Sequence, residues 1–119
     1  MKILVVDDSS VMRKLVTRSI RQAGYDDADI VEAEDGADAV DKVNSEGPDL
    51  VLADWNMPVM TGIEMLRKLR GDDNAVTVGF VTSESTDEIR EDAAAAGASF
   101  FLSKPIDVDD LRDALARVA

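Results

Sequence analysis

The chain has 119 residues, enough for one domain that buries about two thirds of its unfolded surface. With 13 Lys plus Arg against 25 Asp plus Glu, its formal charge of -12 repels phosphate backbones and argues against nucleic-acid binding. Neither cysteine nor histidine is present, which removes disulfides, thiolate metal sites, the usual general base and any internal phosphohistidine. No apolar run reaches membrane-spanning length, and the N-terminal one leads straight into Asp7-Asp8 rather than a signal-peptide pattern. A soluble cytoplasmic monomer is expected, with basic or amphipathic protein surfaces as partners.

Strand and helix patterns alternate five times, which predicts a parallel sheet with helices on both faces. Residues 2–6 read as a first strand. A helix follows from about Ser10 to Ala23, with Met12, Leu15, Val16 and Ile20 inward and Gly24 as its stop. A short strand around Asp29–Ala33 leads to a helix over about Gly36–Asn44, with Asp35 as its cap. Leu50-Val51-Leu52-Ala53 reads as a strand buried on both faces, and Pro58 delays the next helix to about Ile63–Leu69. Val76–Val81 is the fourth strand, weakened by Gly79. The fourth helix begins near Thr86-Asp87-Glu88 and ends at Gly97, its alanine run giving propensity but little volume. Ser99–Ser103 is the fifth strand, and a last helix spans about Val108–Val118, burying Val108, Leu111 and Leu115. Met57, Met60 and Met65 read as core filler.

The chemistry gathers where these strands end. The first strand runs into Asp7-Asp8 and the third into Asp54, at the carboxyl edge where open α/β sheets place their ligands. Neighbouring strands lie about 4.8 Å apart, so if the first and third are adjacent the three carboxylates crowd together and call for a cation. Mg2+ suits one or two carboxylates, several waters and a phosphate oxygen. The fourth strand adds the Thr82 hydroxyl and the fifth adds Lys104, an ammonium suited to a carboxylate or phosphoryl oxygen. This inventory fits phosphoryl transfer to an aspartate, with Asp54 as nucleophile and the Asp7-Asp8 pair holding metal.

The segments Val5-Val6-Asp7-Asp8-Ser9, Asp54-Trp55-Asn56-Met57-Pro58 with Gly62, Val81-Thr82, Gly97-Ala98 and Lys104-Pro105 resemble the receiver domain of bacterial response regulators. The resemblance covers essentially the whole chain, 1–119. It implies a flavodoxin-like doubly wound five-stranded parallel sheet of order 2-1-3-4-5 with five helices. It also implies that a partner histidine kinase or a small phosphodonor phosphorylates Asp54, and that Asp7 or Asp8, Asp54 and the Asn56 carbonyl bind Mg2+. Thr82 and Lys104 would hold phosphoryl oxygens, Phe101 would be the switch aromatic, and Asn56 and Glu84 would tune loss of the phosphoryl group. The output surface would be the fourth helix, fifth strand and fifth helix. A flagellar-motor switch protein is the target suggested by the family's stand-alone chemotaxis members. Phe100, where the family usually has a small or acidic residue, would place an extra aromatic on that surface.

Each feature has a plainer reading: an acidic turn for Asp7-Asp8, a helix cap for Asp54, solvated or strand-end groups for Lys104 and Thr82. Base rates make Lys104-Pro105 trans, since about 5% of X–Pro bonds are cis; the resemblance implies cis. A haloacid-dehalogenase-type phosphatase would need a second aspartate two residues after the nucleophile, where this chain has Asn56 after Asp54 and Ser10 after Asp8. A nucleotide-binding domain would need a Gly-rich loop where Asp7-Asp8-Ser9-Ser10 stands. The chain also suits the receiver of a longer transcription factor or enzyme.

Overall fold

The computed structural model describes residues 1–84 and 86–118. In chain order the elements are β1 (Lys2–Val6), α1 (Ser10–Gln22), β2 (Asp29–Ala33), α2 (Gly36–Glu46), β3 (Leu50–Ala53), α3 (Gly62–Gly71), β4 (Thr77–Thr82), α4 (Asp87–Ala95), β5 (Phe100–Ser103) and α5 (Val108–Val118). The strands form one parallel sheet of order β2-β1-β3-β4-β5, the flavodoxin-like doubly wound arrangement. Strand order reverses between β1 and β3, which sets a crevice at their carboxyl ends.

Side chains alternate across each strand and so divide the core in two. Leu4, Val6, Val51, Ala53, Val78 and Phe80 face the side covered by α2, α3 and α4, meeting Val40, Val43, Met65, Leu66, Leu69 and Ala93. Ile3, Val5, Leu50, Leu52 and Val81 face α1 and α5, meeting Val16, Ile20, Leu111 and Leu115. Helix starts are set by side-chain caps: Ser9 accepts from the Met12 N–H, Asp35 from Asp38, and Thr86 from Ile89. Thr61 and Glu64 form a reciprocal capping box that starts α3 one residue ahead of the expected Ile63. The Thr61 N–H, donating to the Glu64 carboxylate, holds that acid below its usual range.

Two expectations are corrected here. Leu15 is 47% exposed rather than inward, because α1 rests on the sheet along a narrow Val16–Ile20 line. Phe100 does not reach the α4–β5–α5 surface. Phe101 projects toward α4, so its neighbour turns to the opposite face and enters the α1/α5 core at 9% exposure. Gly79, read from sequence only as a weak point, is what admits it. The two residues are paired in register, and a Cβ on Gly79 would lie 2.2 Å from the Phe100 ring. Gly79→Ala therefore overpacks this layer and should cost about 2 kcal/mol in urea unfolding. Combining it with Phe100→Leu should recover part of that loss, and strict additivity of the two changes would refute the fit described here.

Other boundaries move by a residue or two. α2 continues to Glu46, β4 starts at Thr77, β5 starts at Phe100, α1 ends at Gln22 and α4 at Ala95. Ile63 is half-buried while Met65, Leu66 and Leu69 make the contact. Met57 and Met65 are core residues, and Met60 borders them.

Candidate functional site

The sheet's register brings the acid residues together. Val6 pairs with Ala53, and the ladder continues one step as the Asp54 N–H donates to the Val6 carbonyl at 3.0 Å. Asp7 and Asp54 therefore leave adjacent strands at the same level. On the other flank the Lys104 N–H donates to the Thr82 carbonyl at 2.9 Å, which brings Lys104 in beside them. Asp7, Asp8 and Asp54 each offer a carboxylate oxygen within 4.8 Å of the others.

Lys104 is the cation among them. Its Nζ donates to Asp7 Oδ2 at 3.0 Å and to Asp54 Oδ2 at 3.3 Å, with Asp7 almost fully buried. Burial of Lys104 disfavours its charge, but the hydrogen bond to Asp7 and the charges of Asp54 and Asp7 outweigh this and hold its pKa above the ordinary value. The other carboxylate oxygens are also engaged: Asp7 Oδ1 accepts from the Ser9 N–H at 2.9 Å, and Asp54 Oδ1 from the Trp55 N–H at 2.7 Å.

The donor set fits a hard divalent cation. An octahedral ion with metal–oxygen distances of about 2.1 Å keeps its ligand oxygens about 3–4 Å apart, and the observed cluster needs little adjustment to reach this. No nitrogen or sulfur ligand competes, since the chain has no His or Cys.

The loop after β3 is held from within. The Gly62 N–H donates to the Trp55 carbonyl at 2.9 Å, and a Cβ on Gly62 would sit 2.5 Å from the Asp54 carbonyl oxygen, so only glycine lets α3 start this close. Between them Met60 N–H closes onto the Pro58 carbonyl at 2.7 Å, with Val59 at φ 68°. The Asn56 side-chain amide donates to the Glu84 carboxylate across the mouth of the site. Thr82 is buried at 1% exposure, and its hydroxyl accepts from the Glu84 N–H at 3.3 Å.

Aromatic rings link this edge to the opposite flank. Trp55 meets Phe80 edge-on at 5.2 Å, and Phe101 lies 6.3 Å from Trp55 and 6.4 Å from Phe80. The outer face of Phe101 is covered by Arg90, whose guanidinium carbon sits 4.7 Å from the ring centroid while Nη2 donates to Ser103 Oγ at 3.0 Å. Beside them runs a groove of about 410 Å³ lined by Arg90, Phe101, Ser103, Asp107, Asp110 and Asp113. The Lys104-Pro105 peptide is cis, against its base rate and as the resemblance implied.

Asp7, Asp8, Asp54, Thr82 and Lys104 thus converge at one edge, Asn56 and Glu84 join over its rim, and Phe101 lies behind it. Arg90 escaped sequence reading because an arginine on a polar helix face looks like any solvated one. Arg13 escaped likewise; its guanidinium bonds the Asp7 carbonyl at 2.7 Å and Glu32 at 2.8 Å.

The family model for the response regulator receiver domain matches this chain over residues 3–116. The chain belongs to that family and is a response regulator of two-component phosphorelay signalling. Among curated proteins it is similar to the chemotaxis protein CheY of Pseudomonas aeruginosa, at 36% identity over 99% of this chain and 95% of that protein. Chemotaxis protein CheY-3 of Vibrio cholerae is also 36% identical, over 99% of this chain and 91% of that one. Among solved structures, Vibrio cholerae CheY4 superposes with a TM-score of 0.85 at 33% identity, covering 99% of this chain and 98% of its own. The receiver domain of Francisella response regulator 1452 does so with a TM-score of 0.83 at 26% identity, covering 98% and 94%. Among the described residues no helix is long and apolar enough to cross a membrane.

Proposed function

We propose that residues 1–119 form one receiver domain in which Asp54 takes a phosphoryl group from a histidine kinase or a small acyl phosphate, with Mg2+ at the acid cluster. The observation that carries this reading is the bridging of Asp7 and Asp54 by Lys104 at 3.0 and 3.3 Å on one sheet edge. An Asp54 carboxylate oxygen attacks phosphorus, and the bond from phosphorus to the donor's leaving atom breaks. The leaving group departs with the electron pair of that bond, and Asp54 becomes an acyl phosphate. Lys104 pairs with the oxygens of the transferred group, and the Thr82 hydroxyl turns from the Glu84 N–H to donate to one of them. When bound, Mg2+ neutralises charge on the phosphoryl oxygens. Asp7 and Asp8 with Asp54 would hold it, together with the Asn56 carbonyl from the same loop.

The Asn56–Glu84 pair stands at the rim, where it governs the approach of water and so the lifetime of the phosphoryl group. Movement of Thr82 frees space behind it, and Phe101 turns from under Arg90 toward Phe80. That change remodels the α4–β5–α5 groove for a downstream protein. A flagellar-motor switch protein is the target we favour, given the chemotaxis relatives. Turnover is limited to the chain's own phosphoryl group, so the protein is a switch rather than a metabolic enzyme, acting in the cytoplasm as a monomer.

The test is intact-mass analysis of the chain after incubation with acetyl phosphate and Mg2+. We expect one added phosphoryl group, absent when the metal is chelated, and an unmodified chain under both conditions would defeat the reading.

A further inference from the structure

β1 passes into α1 through Asp7, Asp8 and Ser9, and all the polar groups of Asp7 are engaged. Its N–H donates to the Ala33 carbonyl at 3.2 Å, and its carboxylate oxygens accept from the Ser9 N–H and from Lys104. Its carbonyl accepts from Arg13 Nη1 at 2.7 Å, the shortest of these contacts. The same guanidinium donates through Nε to Glu32 Oε1 of β2 at 2.8 Å. The Arg13 side chain is 17% exposed, while Glu32, at 51%, stands at the rim.

We infer that Arg13, braced by Glu32, is a positioning residue for the cation site: it locks the Asp7–Asp8 peptide so that both carboxylates face Asp54. The peptide unit is planar, so fixing the Asp7 carbonyl oxygen also fixes the Asp8 nitrogen and Cα, the point from which the Asp8 side chain leaves. Asp8 needs such help. It is exposed, and among the described residues its carboxylate makes no hydrogen bond of its own, yet it lies within the three-carboxylate cluster. Asp7 is already held at its N–H and both carboxylate oxygens, so the extra bond to its carbonyl serves the residue that follows.

The task suits arginine. Two donors on one rigid plane reach acceptors on two elements, the β1–α1 turn and β2, which a lysine ammonium on a flexible stem does not reproduce. Charge and position also make opposite demands here. A positive charge beside three carboxylates competes with a bound cation, so removing it would tighten Mg2+ binding if charge alone mattered. If position dominates, removing it weakens binding.

This inference rests on the reading that the cluster holds Mg2+. The experiment is calorimetric titration of Mg2+ into the full chain at fixed ionic strength, for wild type, Arg13→Lys, Arg13→Gln and Glu32→Ala, with circular dichroism melts of each without metal. In Arg13→Lys, which keeps the charge and loses the fork, we expect Mg2+ affinity to fall about tenfold. Arg13→Gln should also bind more weakly than wild type, despite its favourable charge change. Glu32→Ala leaves Arg13 in place without its brace and should lose a smaller part of the affinity, which keeps a readout if an Arg13 variant does not fold. Folded Arg13 variants that bind Mg2+ as tightly as wild type, or more tightly, would overturn the inference while leaving the cation site intact. A wild-type chain that takes up no Mg2+ would defeat the site reading and this inference with it.

Discussion

Asp54→Asn, incubated with acetyl phosphate and Mg2+, should stay at its unmodified mass while wild type gains a phosphoryl group. The amide has the same shape, and the fold should tolerate it. Asp54 lies just beyond β3, outside the apolar ladder, and its N–H bond to the Val6 carbonyl is made by the backbone. The amide oxygen is a far weaker nucleophile than a carboxylate, and the substitution removes one of three negative charges from the cluster. Lys104 keeps Asp7 as its partner at 3.0 Å, so stability should change little. Phosphorylation that persists in Asp54→Asn would move the acceptor elsewhere; Asp7 and Asp8 are the alternatives at this edge, and fragmentation of the modified chain would distinguish them.

Lys104→Met should have the largest effect on stability. It keeps the length of the stem but leaves Asp7 and Asp54 facing one another without their shared cation. Removing one partner of a buried ionic cluster costs about 3 kcal/mol, which for a domain of this size lowers Tm by about 10 °C. The pH dependence follows from the direction of the Lys104 shift. Its folded-state pKa is raised, so its contribution is complete at every pH below the ordinary value of 10.5 and is lost as pH rises through the folded value. The difference in stability between wild type and Lys104→Met should therefore be constant through the neutral range and shrink in strongly alkaline solution. Millimolar Mg2+ should raise the variant's Tm more than that of wild type, because the ion supplies the charge the lysine no longer does. Equal melting of the two chains at pH 7 would show that the ammonium is not the counter-ion of the cluster.

The reactive edge was legible because its residues interrupt strong patterns. Asp7 and Asp54 each end an apolar run, and a parallel sheet leaves them only one edge to occupy. Thr82 and Lys104 were found for the same reason, at the ends of β4 and β5. The capping box at α3 is written in the sequence too, as Thr61-x-x-Glu64, but Pro58 marks the same loop more strongly as helix-breaking. What failed depended on distant partners. Leu15 belongs to an apolar stripe wider than the surface available to cover it. The orientation of Phe100 follows from that of Phe101, and its space from Gly79 on the next strand. Arg13 and Arg90 sit on helices at positions where solvated arginines are ordinary, and only their partners, the Asp7 carbonyl and the Phe101 ring, distinguish them.

The aromatic trio has a practical consequence. Trp55 is the chain's one tryptophan, it follows Asp54 directly, and its ring centroid lies 6.3 Å from that of Phe101. Its indole emission therefore samples the acid cluster and the α4 flank together, giving the protein an intrinsic optical reporter that needs no label.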